Sequence, residues 1–230
     1  MGNISSDNQQ LSDPASDTTS PSVQQRTIGL TGGIGMGKTT VSNYLAKTYH
    51  LPVLDADLYA RDAVTQGSKI LAEIEDRYGP SILLPSGQLN RARLGEIVFT
   101  CRTEMLWLEK QIHPYVRDRM TMELKTIDRT QHPILVLVVP LLFEVRMTDL
   151  VSEIWVVYCS RPRQIARLQQ RETHGQMNLA QIQARIDSQM AIAEKIRRAD
   201  IILENNTTPE ALYQQIDNAV HTFHVDRHRQ

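Results

Sequence analysis

The stretch Gly32-Gly33-Ile34-Gly35-Met36-Gly37-Lys38-Thr39 decides the fold of this 230-residue chain. It matches the pattern G-x-x-x-x-G-K-[ST] at every fixed position. The apolar run at 27–30 before it predicts a short buried strand, and the residues from Lys38 onwards predict a helix whose apolar side chains face the core. The sequence therefore predicts a strand, a glycine-rich turn and a helix in immediate succession.

The residue types in this turn are those that bind a triphosphate. Glycines let the backbone turn tightly and point successive N–H groups at phosphate oxygens, and the helix that follows adds the positive end of its dipole. Lys38 is the predicted catalytic cation, reaching the β- and γ-phosphates of ATP, and the Thr39 hydroxyl is the predicted Mg²⁺ ligand. The predicted ATP-binding residues of the loop are Gly32, Gly33, Gly35, Met36, Gly37, Lys38, Thr39 and Thr40.

Outside the loop, short buried strands alternate with helices. Strands are predicted at 52–54, 134–139, 154–158 and 201–203. Helices are predicted at 58–64, 68–78, 91–99, 103–127, from Ser160 to about 171, at 179–198 and after Thr208. Ser68 is a plausible N-cap, and Pro114 should start a new helix or kink the one that contains it. The alternation predicts an α/β fold, a three-layer parallel sheet of the P-loop NTPase class.

Composition and charge limit the classes of partner that the sequence predicts. The formal net charge is −1, so nothing global favours nucleic acid or an anionic membrane. No window approaches the roughly 18 apolar residues of a membrane span. Cys101 and Cys159 are expected to be buried thiols, which fits a reducing, cytoplasmic location. Residues 1–25 are rich in Ser, Asp, Gln and Thr and are expected to form a disordered tail before a single domain at 26–230.

Several classes of protein share this loop. A GTPase would normally carry an Asn-Lys-x-Asp motif that reads guanine, and the sequence has none. A motor ATPase usually ends a buried strand in an acidic residue, whereas the strand at 134–139 runs into Pro140, with Glu144 four residues further on. These features favour a kinase over a switch or a motor.

The second strand supplies candidates for the acceptor side. It runs into Asp55 and Asp57, and the carboxyl ends of parallel strands open on one edge of the sheet. A carboxylate there could take the proton of an attacking hydroxyl or orient that hydroxyl. Arg61, one helical turn further on, could hold a phosphate of the acceptor. The alternative, a helix N-cap with a solvated neighbour, remains open for the two aspartates.

A basic helix later in the chain predicts a lid at 163–190. Arg163, Arg167 and Arg171 recur every four residues on one helix face, before the polar break at 172–178. Closure over ATP would bring a guanidinium to the transferring phosphoryl group. An ordinary solvated face is the alternative. His113, before Pro114, is either a structural residue or an acid or base. Trp107 and Tyr115 are expected to pack in a core or subdomain, with stacking on an adenine as the alternative.

Taken together, these segments resemble the dephospho-coenzyme A kinase family. The resemblance covers nearly all of 27–221 in the family's order. Its specific part is the conjunction of the phosphate loop with three other motifs. The matching segments are residues 28–40, Asp55-Ala56-Asp57 with Arg61, Asn90-Arg91 leading to Phe99, Ile112-His113-Pro114, residues 139–144, Gln164 to Arg167 with Arg171, residues 185–189, and Asn205-Asn206.

The resemblance implies transfer of the ATP γ-phosphate to the ribose 3′-hydroxyl of dephospho-coenzyme A, with Mg²⁺. It also implies a nucleoside- or nucleotide-kinase core, a helical acceptor-binding insertion at 58–127 and a lid. By position, Asp57 is the catalytic carboxylate. Arg167 is the catalytic lid arginine and also binds ATP, and Asn205 lies near the adenine. The implied acceptor-binding residues are Thr31, Asp57, Arg61 and His113.

Two positions depart from the family pattern. Met36 stands where serine is usual, and Thr207 follows the asparagine pair where glycine is common. Neither touches Lys38, Thr39 or Asp57, so we expect ATP binding to survive. A nucleoside or nucleoside-monophosphate kinase and a non-catalytic nucleotide sensor remain the alternative functions.

Overall fold

A five-stranded parallel sheet lies at the centre of the computed structural model, which describes residues 26–171 and 178–225. The order across the sheet is β2-β3-β1-β4-β5, so the strand before the glycine turn is central. All neighbouring pairs are parallel, which confirms the prediction. The strands are β1 (Arg26–Gly32), β2 (Val53–Asp55), β3 (Ile134–Val138), β4 (Glu153–Tyr158) and β5 (Ile201–Glu204).

Helices occupy most of the remaining described chain. Ser68 caps α3 as predicted, because its Oγ accepts the Leu71 N–H at 3.1 Å. The helices are α1 (Lys38–Thr48), α2 (Ala56–Asp62), α3 (Lys69–Tyr78), α4 (Arg91–Thr100), α5 (Arg102–Thr126), α6 (Arg161–Arg171), α7 (Leu179–Asp187), α8 (Ile192–Arg197) and α9 (Pro209–Val225). The predicted disordered tail and residues 172–177 of the predicted lid lie outside the described residues.

Three sequence predictions need correction. Of the two alternatives for Pro114, the start of a new helix is wrong, because Pro114 lies inside α5, which Val116 and Met120 anchor in the core. The helix predicted at 179–198 is two helices, since Gln189 and Met190 between them make contacts with other elements. Cys101 is exposed at the junction of α4 and α5, while Cys159 is buried as predicted.

Alternate side chains of the strands enter two different cores. On one face, Ile28, Leu30 and Trp155 pack with α1 and α9. On the other face, Leu54 and Leu137 pack with α2 and α5. Helices therefore cover both faces, as in the predicted three-layer arrangement.

The helical part between β2 and β3 has a core of its own. Ala63, Ile74, Leu94 and other buried side chains from α3, α4 and the segments next to them form this core. Trp107 and Tyr115 of α5 pack against it half-buried, as predicted for these two aromatics. In the ranges that the structure describes, no helix is both long and apolar enough to cross a membrane.

A buried ion pair holds the start of the central strand. Arg26 Nε donates to Glu153 Oε1 at 2.7 Å, and both side chains are at most 7% exposed. Trp155 Nε1 donates to the other carboxylate oxygen at 3.0 Å. A buried carboxylate with these donors ties β1 to β4 at the edge of the sheet opposite the glycine turn.

We expect Glu153→Ala to lower the free energy of unfolding by about 3–5 kcal/mol, because it leaves the buried guanidinium of Arg26 without this carboxylate. Asp149→Ala is the matched control. Asp149 pairs with Arg117 at the surface, so its loss should cost below about 1 kcal/mol. Urea denaturation of the two variants makes the comparison, and equal losses would contradict the role of the buried pair.

Candidate active site

The glycine turn joins the end of β1 to the first residue of α1, where backbone atoms approach too closely for side chains. Gly32 has φ +145°, and a Cβ there would lie 2.4 Å from the Val157 carbonyl oxygen. Gly37 has φ +104°, and a Cβ there would lie 2.1 Å from Asn205 Nδ2. Because only glycine fits both positions, the turn is fixed by contacts with β4 and with the residue after β5.

Lys38 folds back over this turn from the first position of α1. Its Nζ donates to the carbonyl oxygens of Gly32 at 2.8 Å and Gly33 at 3.0 Å. Thr39 is exposed and Thr40 is half-buried on the same first turn. The ammonium group and the helix N-terminus therefore lie at one place, as an anion site requires.

Arg167 and Asn205 contact the backbone of the turn at Met36. Asn205 Nδ2 donates to the Met36 carbonyl at 2.9 Å, and Arg167 Nη1 donates to the same oxygen at 3.4 Å. Arg167 Nη2 donates to Asn205 Oδ1 at 3.1 Å. A pocket opens here beside the turn, lined by Gly35, Gly37, Thr40, Arg167, Asn205, Thr207 and Pro209.

Met36 turns its side chain into the protein beneath the turn. It is 3% exposed, and its Sδ accepts the Gly33 N–H at 3.2 Å. The thioether therefore fills space inside the loop, and the side chain does not occupy the exposed anion side. This contact and the burial of the side chain show how a methionine is accommodated at this position.

Sequence reasoning assigned no role to two glutamines that contact the turn. Gln164 Nε2 donates to the Ile34 carbonyl at 2.7 Å, and Gln189 Oε1 accepts the Ile34 N–H at 2.9 Å. Gln164 could have been found from helical spacing, because it lies one turn before Arg167 on α6. Gln189 lies between two short helices, where no periodic signal points to it.

Asp55 and Asp57 begin α2 at the carboxyl end of β2. Asp55 Oδ1 accepts the Asp57 N–H at 2.9 Å, so Asp55 is the N-cap and Asp57 is its exposed neighbour. Burial raises the pKa of Asp55, and the hydrogen bond from the Asp57 N–H opposes this rise. Asp55 ends β2 and Gly32 ends β1, two parallel strands separated by β3, so the aspartates and the glycine turn lie at the same edge of the sheet.

The other predicted acceptor residues lie in different surroundings. Arg61 is exposed near the end of α2, and its carbonyl accepts Arg91 Nη2 at 3.5 Å. His113 is half-buried on α5, and burial lowers its pKa, so the ring is neutral at physiological pH. Thr31 is fully buried and donates to the Pro140 carbonyl at 3.1 Å, which is a structural contact. Its predicted contact with an acceptor stays a prediction.

Two oxygen groups at this edge of the sheet suit Mg²⁺. Thr39 presents a hydroxyl and Asp55 a carboxylate, and Mg²⁺ prefers such oxygen ligands together with phosphate oxygens and water. Within 26–171 and 178–225, no three His, Cys, Asp or Glu side chains form a group that could hold a metal ion. Thr39 and Asp55 would be the protein ligands of such an ion, and a bound triphosphate would supply further oxygen ligands.

The fold and the glycine turn define a P-loop kinase of the nucleotide-kinase type. The dephospho-CoA kinase family model matches residues 26–210, and the chain belongs to this family. A dephospho-CoA kinase of Trichormus variabilis is 57% identical over 196 residues, which are 85% of this chain and 97% of that protein.

Solved structures agree with this fold. The Thermus thermophilus protein TT1252 is 30% identical with a TM-score of 0.72, covering 87% of this chain and 98% of its own. A dephospho-CoA kinase from Campylobacter jejuni has a TM-score of 0.64 at 24% identity, covering 86% of this chain and 96% of its own. Both likenesses cover at least 86% of this chain, so the predicted fold class is confirmed.

Gly37→Ala should weaken ATP binding by more than about tenfold, because the new Cβ would displace Asn205 and strain the turn. Gly67→Ala is the matched control. Gly67 also has a positive φ, +83°, but nothing lies within 4 Å of its Cβ position, so only backbone strain is tested. Calorimetric titration with ATP compares the two, and equal affinities would contradict the contact with Asn205.

The lowered pKa of His113 predicts a pH-dependent stability. The unfolded histidine, with its ordinary pKa of 6.5, takes up a proton before the folded one does. The stability that the neutral ring contributes is therefore present above pH 6.5 and falls as the pH is lowered through it. The unfolding free energy of the wild type should drop relative to that of His113→Gln between pH 7.5 and 5.5. A difference that does not change with pH would contradict the burial of a neutral ring.

Proposed function

We propose that the protein transfers the γ-phosphate of ATP to the ribose 3′-hydroxyl of dephospho-coenzyme A, giving coenzyme A and ADP. The observation that carries this proposal is the shared site of the glycine turn and the two aspartates. A phosphate cradle with Lys38 lies at the end of β1, and a carboxylate pair lies at the end of β2 on the same edge of the sheet.

In the proposed reaction, the turn and Lys38 hold the triphosphate. The ammonium now shared by two backbone carbonyls would turn to the β- and γ-phosphates and offset the charge that develops on the transferred group. Arg167 and Asn205 would contact the nucleotide in the pocket that they line. When bound, Mg²⁺ would neutralise phosphate charge, and Thr39 and Asp55 are the residues that would hold it.

Asp57 is the proposed base or orienting carboxylate. Its exposed position in the first turn of α2 lets an incoming hydroxyl reach it, whereas Asp55 is half-buried and one of its carboxylate oxygens accepts the Asp57 N–H. The proton of the 3′-hydroxyl would pass to Asp57 as the oxygen attacks the γ-phosphorus and the bond to the β-phosphate oxygen breaks.

The acceptor would lie against the helical insertion at 58–127. Arg61 and Arg91 are both exposed, and a guanidinium nitrogen of one contacts the backbone of the other. Two arginines side by side suit the pyrophosphate of dephospho-coenzyme A. The neutral ring of His113 would then act as a hydrogen-bonding group, and Thr31 would support the end of β1 from within.

Features of the whole chain agree with a small-molecule enzyme of the cytoplasm. The net charge of −1 offers no general attraction for nucleic acid. Both cysteines are free, as in a reducing compartment.

A labelled-ATP assay tests the proposed acceptor. Purified full-length protein is offered dephospho-coenzyme A beside a panel of nucleosides and nucleoside monophosphates. We expect label in coenzyme A alone. Label in nucleosides or their monophosphates alone would overturn the proposal, and label in no acceptor would indicate a nucleotide sensor.

Asp57→Asn should reduce kcat by orders of magnitude, roughly 10²–10⁴-fold, because it removes the group that accepts the proton. ATP affinity should change little, since the glycine turn is intact. Asp62→Asn, an exposed aspartate on the same helix, is the control and should keep normal turnover. Near-normal kcat in Asp57→Asn would refute the role of Asp57.

A further inference from the structure

The conformation of the glycine turn is not fixed by its own sequence. Glycine backbones reach many conformations, so a loop with four glycines among six residues loses much entropy when it takes the single shape that receives a phosphate. Hydrogen bonds from outside the loop can select that shape in advance and so reduce the entropy lost on binding.

Two side chains bind the backbone of Ile34, one at its N–H and one at its carbonyl. The Ile34 N–H needs an acceptor and meets Gln189 Oε1 at 2.9 Å, while the Ile34 carbonyl needs a donor and meets Gln164 Nε2 at 2.7 Å. Because one backbone group is a donor and the other an acceptor, they determine which end of each side-chain amide faces Ile34. Gln164 is 2% exposed, so water competes little for its hydrogen bond.

The preceding N–H of the turn is also bonded to a side chain. The Gly33 N–H donates to Met36 Sδ at 3.2 Å. The N–H groups of Gly33 and Ile34 are therefore both bonded to side chains, and the Met36 N–H is bonded to the Gly33 carbonyl at 3.3 Å. These contacts hold the first residues of the loop from within the protein.

Gln189 is itself firmly anchored. The next residue, Met190, donates its N–H to Glu144 Oε1 at 3.1 Å, and Glu144 pairs with Lys195 at 2.9 Å. Lys195 is fully buried and also donates to the Pro140 carbonyl at 2.8 Å, just beyond the end of β3. A continuous series of polar contacts thus runs from the sheet edge to the Ile34 N–H.

We propose that Gln189 is a positioning residue, which with Gln164 holds the Ile34 peptide so that the turn is already in its phosphate-receiving shape before ATP binds. This inference rests on the proposed function only in taking the glycine turn as the ATP site. It does not depend on the identity of the acceptor or on the role of Asp57.

Amide exchange at Ile34 tests the proposal directly. The exchange rate is measured by NMR on ¹⁵N-labelled, ligand-free, full-length protein for the wild type, Gln189→Met and Gln189→Glu. The methionine keeps the length of the side chain without the oxygen, whereas the glutamate keeps an acceptor oxygen. We expect exchange at Ile34 to be at least about tenfold faster in Gln189→Met and close to wild type in Gln189→Glu.

Gln183→Met is the matched control, since Gln183 is an exposed glutamine on α7, the helix that precedes Gln189. It should leave the exchange rate at Ile34 unchanged. Unchanged exchange in Gln189→Met would overturn the proposal. Equally fast exchange in the methionine and glutamate variants would also overturn it, because the acceptor oxygen would then not be what holds the loop.

Steady-state kinetics give the second measurement. Gln189→Met should raise the KM for ATP about tenfold while leaving the KM for the acceptor near its wild-type value. A merely structural role would lower the melting temperature without this split, and that result would overturn the positioning role. If the protein failed to phosphorylate dephospho-coenzyme A at all, the exchange result would still stand, so the two proposals can fail separately.

Discussion

The close approach of neighbouring atoms to two glycines of the turn is the constraint on which the rest of the site depends. Gly32 lies so near the Val157 carbonyl, and Gly37 so near Asn205, that a single methyl group would not fit at either position. β1 is central in the sheet, and the turn leaves it between the ends of β3 and β4. Other functional groups reach the turn because their strands or helices begin or end at the same edge.

A second level of organisation comes from polar side chains that connect this edge to the later helices. The buried ammonium group of Lys195 pairs with the carboxylate of Glu144. It also donates to the Pro140 carbonyl just after β3, which accepts a second hydrogen bond from the Thr31 hydroxyl. Farther along, Arg185 of α7 lies over the ring of Phe99 of α4, with 5.8 Å between guanidinium carbon and ring centroid. The helices after β4 thus contact both the glycine turn and the helical insertion.

Much of this was predictable from the sequence because the relevant signals are local. The strand, glycine turn and helix follow one another, and the continuous apolar run of β3 indicates a strand covered on both faces. The break at 188–191 was missed because it depends on distant partners, Ile34 and Glu144, that leave no periodic trace. Cys101 was misjudged because thiols are usually buried, and nothing in the local sequence shows that the junction of α4 and α5 leaves this one exposed.

The residues of the candidate site also fall into two groups, those that the sequence predicts and those that only the folded chain shows. Lys38, Arg167 and Asn205 were predicted from the loop motif and the family resemblance, and the structure brings all three to the turn. The inward orientation of Met36 could not be predicted, because it depends on the space beneath the loop. The roles of Gln164 and Gln189 likewise depend on backbone groups that only the folded chain brings near them.

The exposed cysteine between α4 and α5 has a practical consequence. Cys159, the other thiol of the chain, is 1% exposed, and burial raises its pKa, so it reacts slowly with alkylating reagents. A maleimide fluorophore would therefore attach selectively to Cys101, two residues from Phe99. The sequence thus already contains a selective attachment point for a spectroscopic probe on the helical insertion, and no cysteine needs to be introduced for labelling.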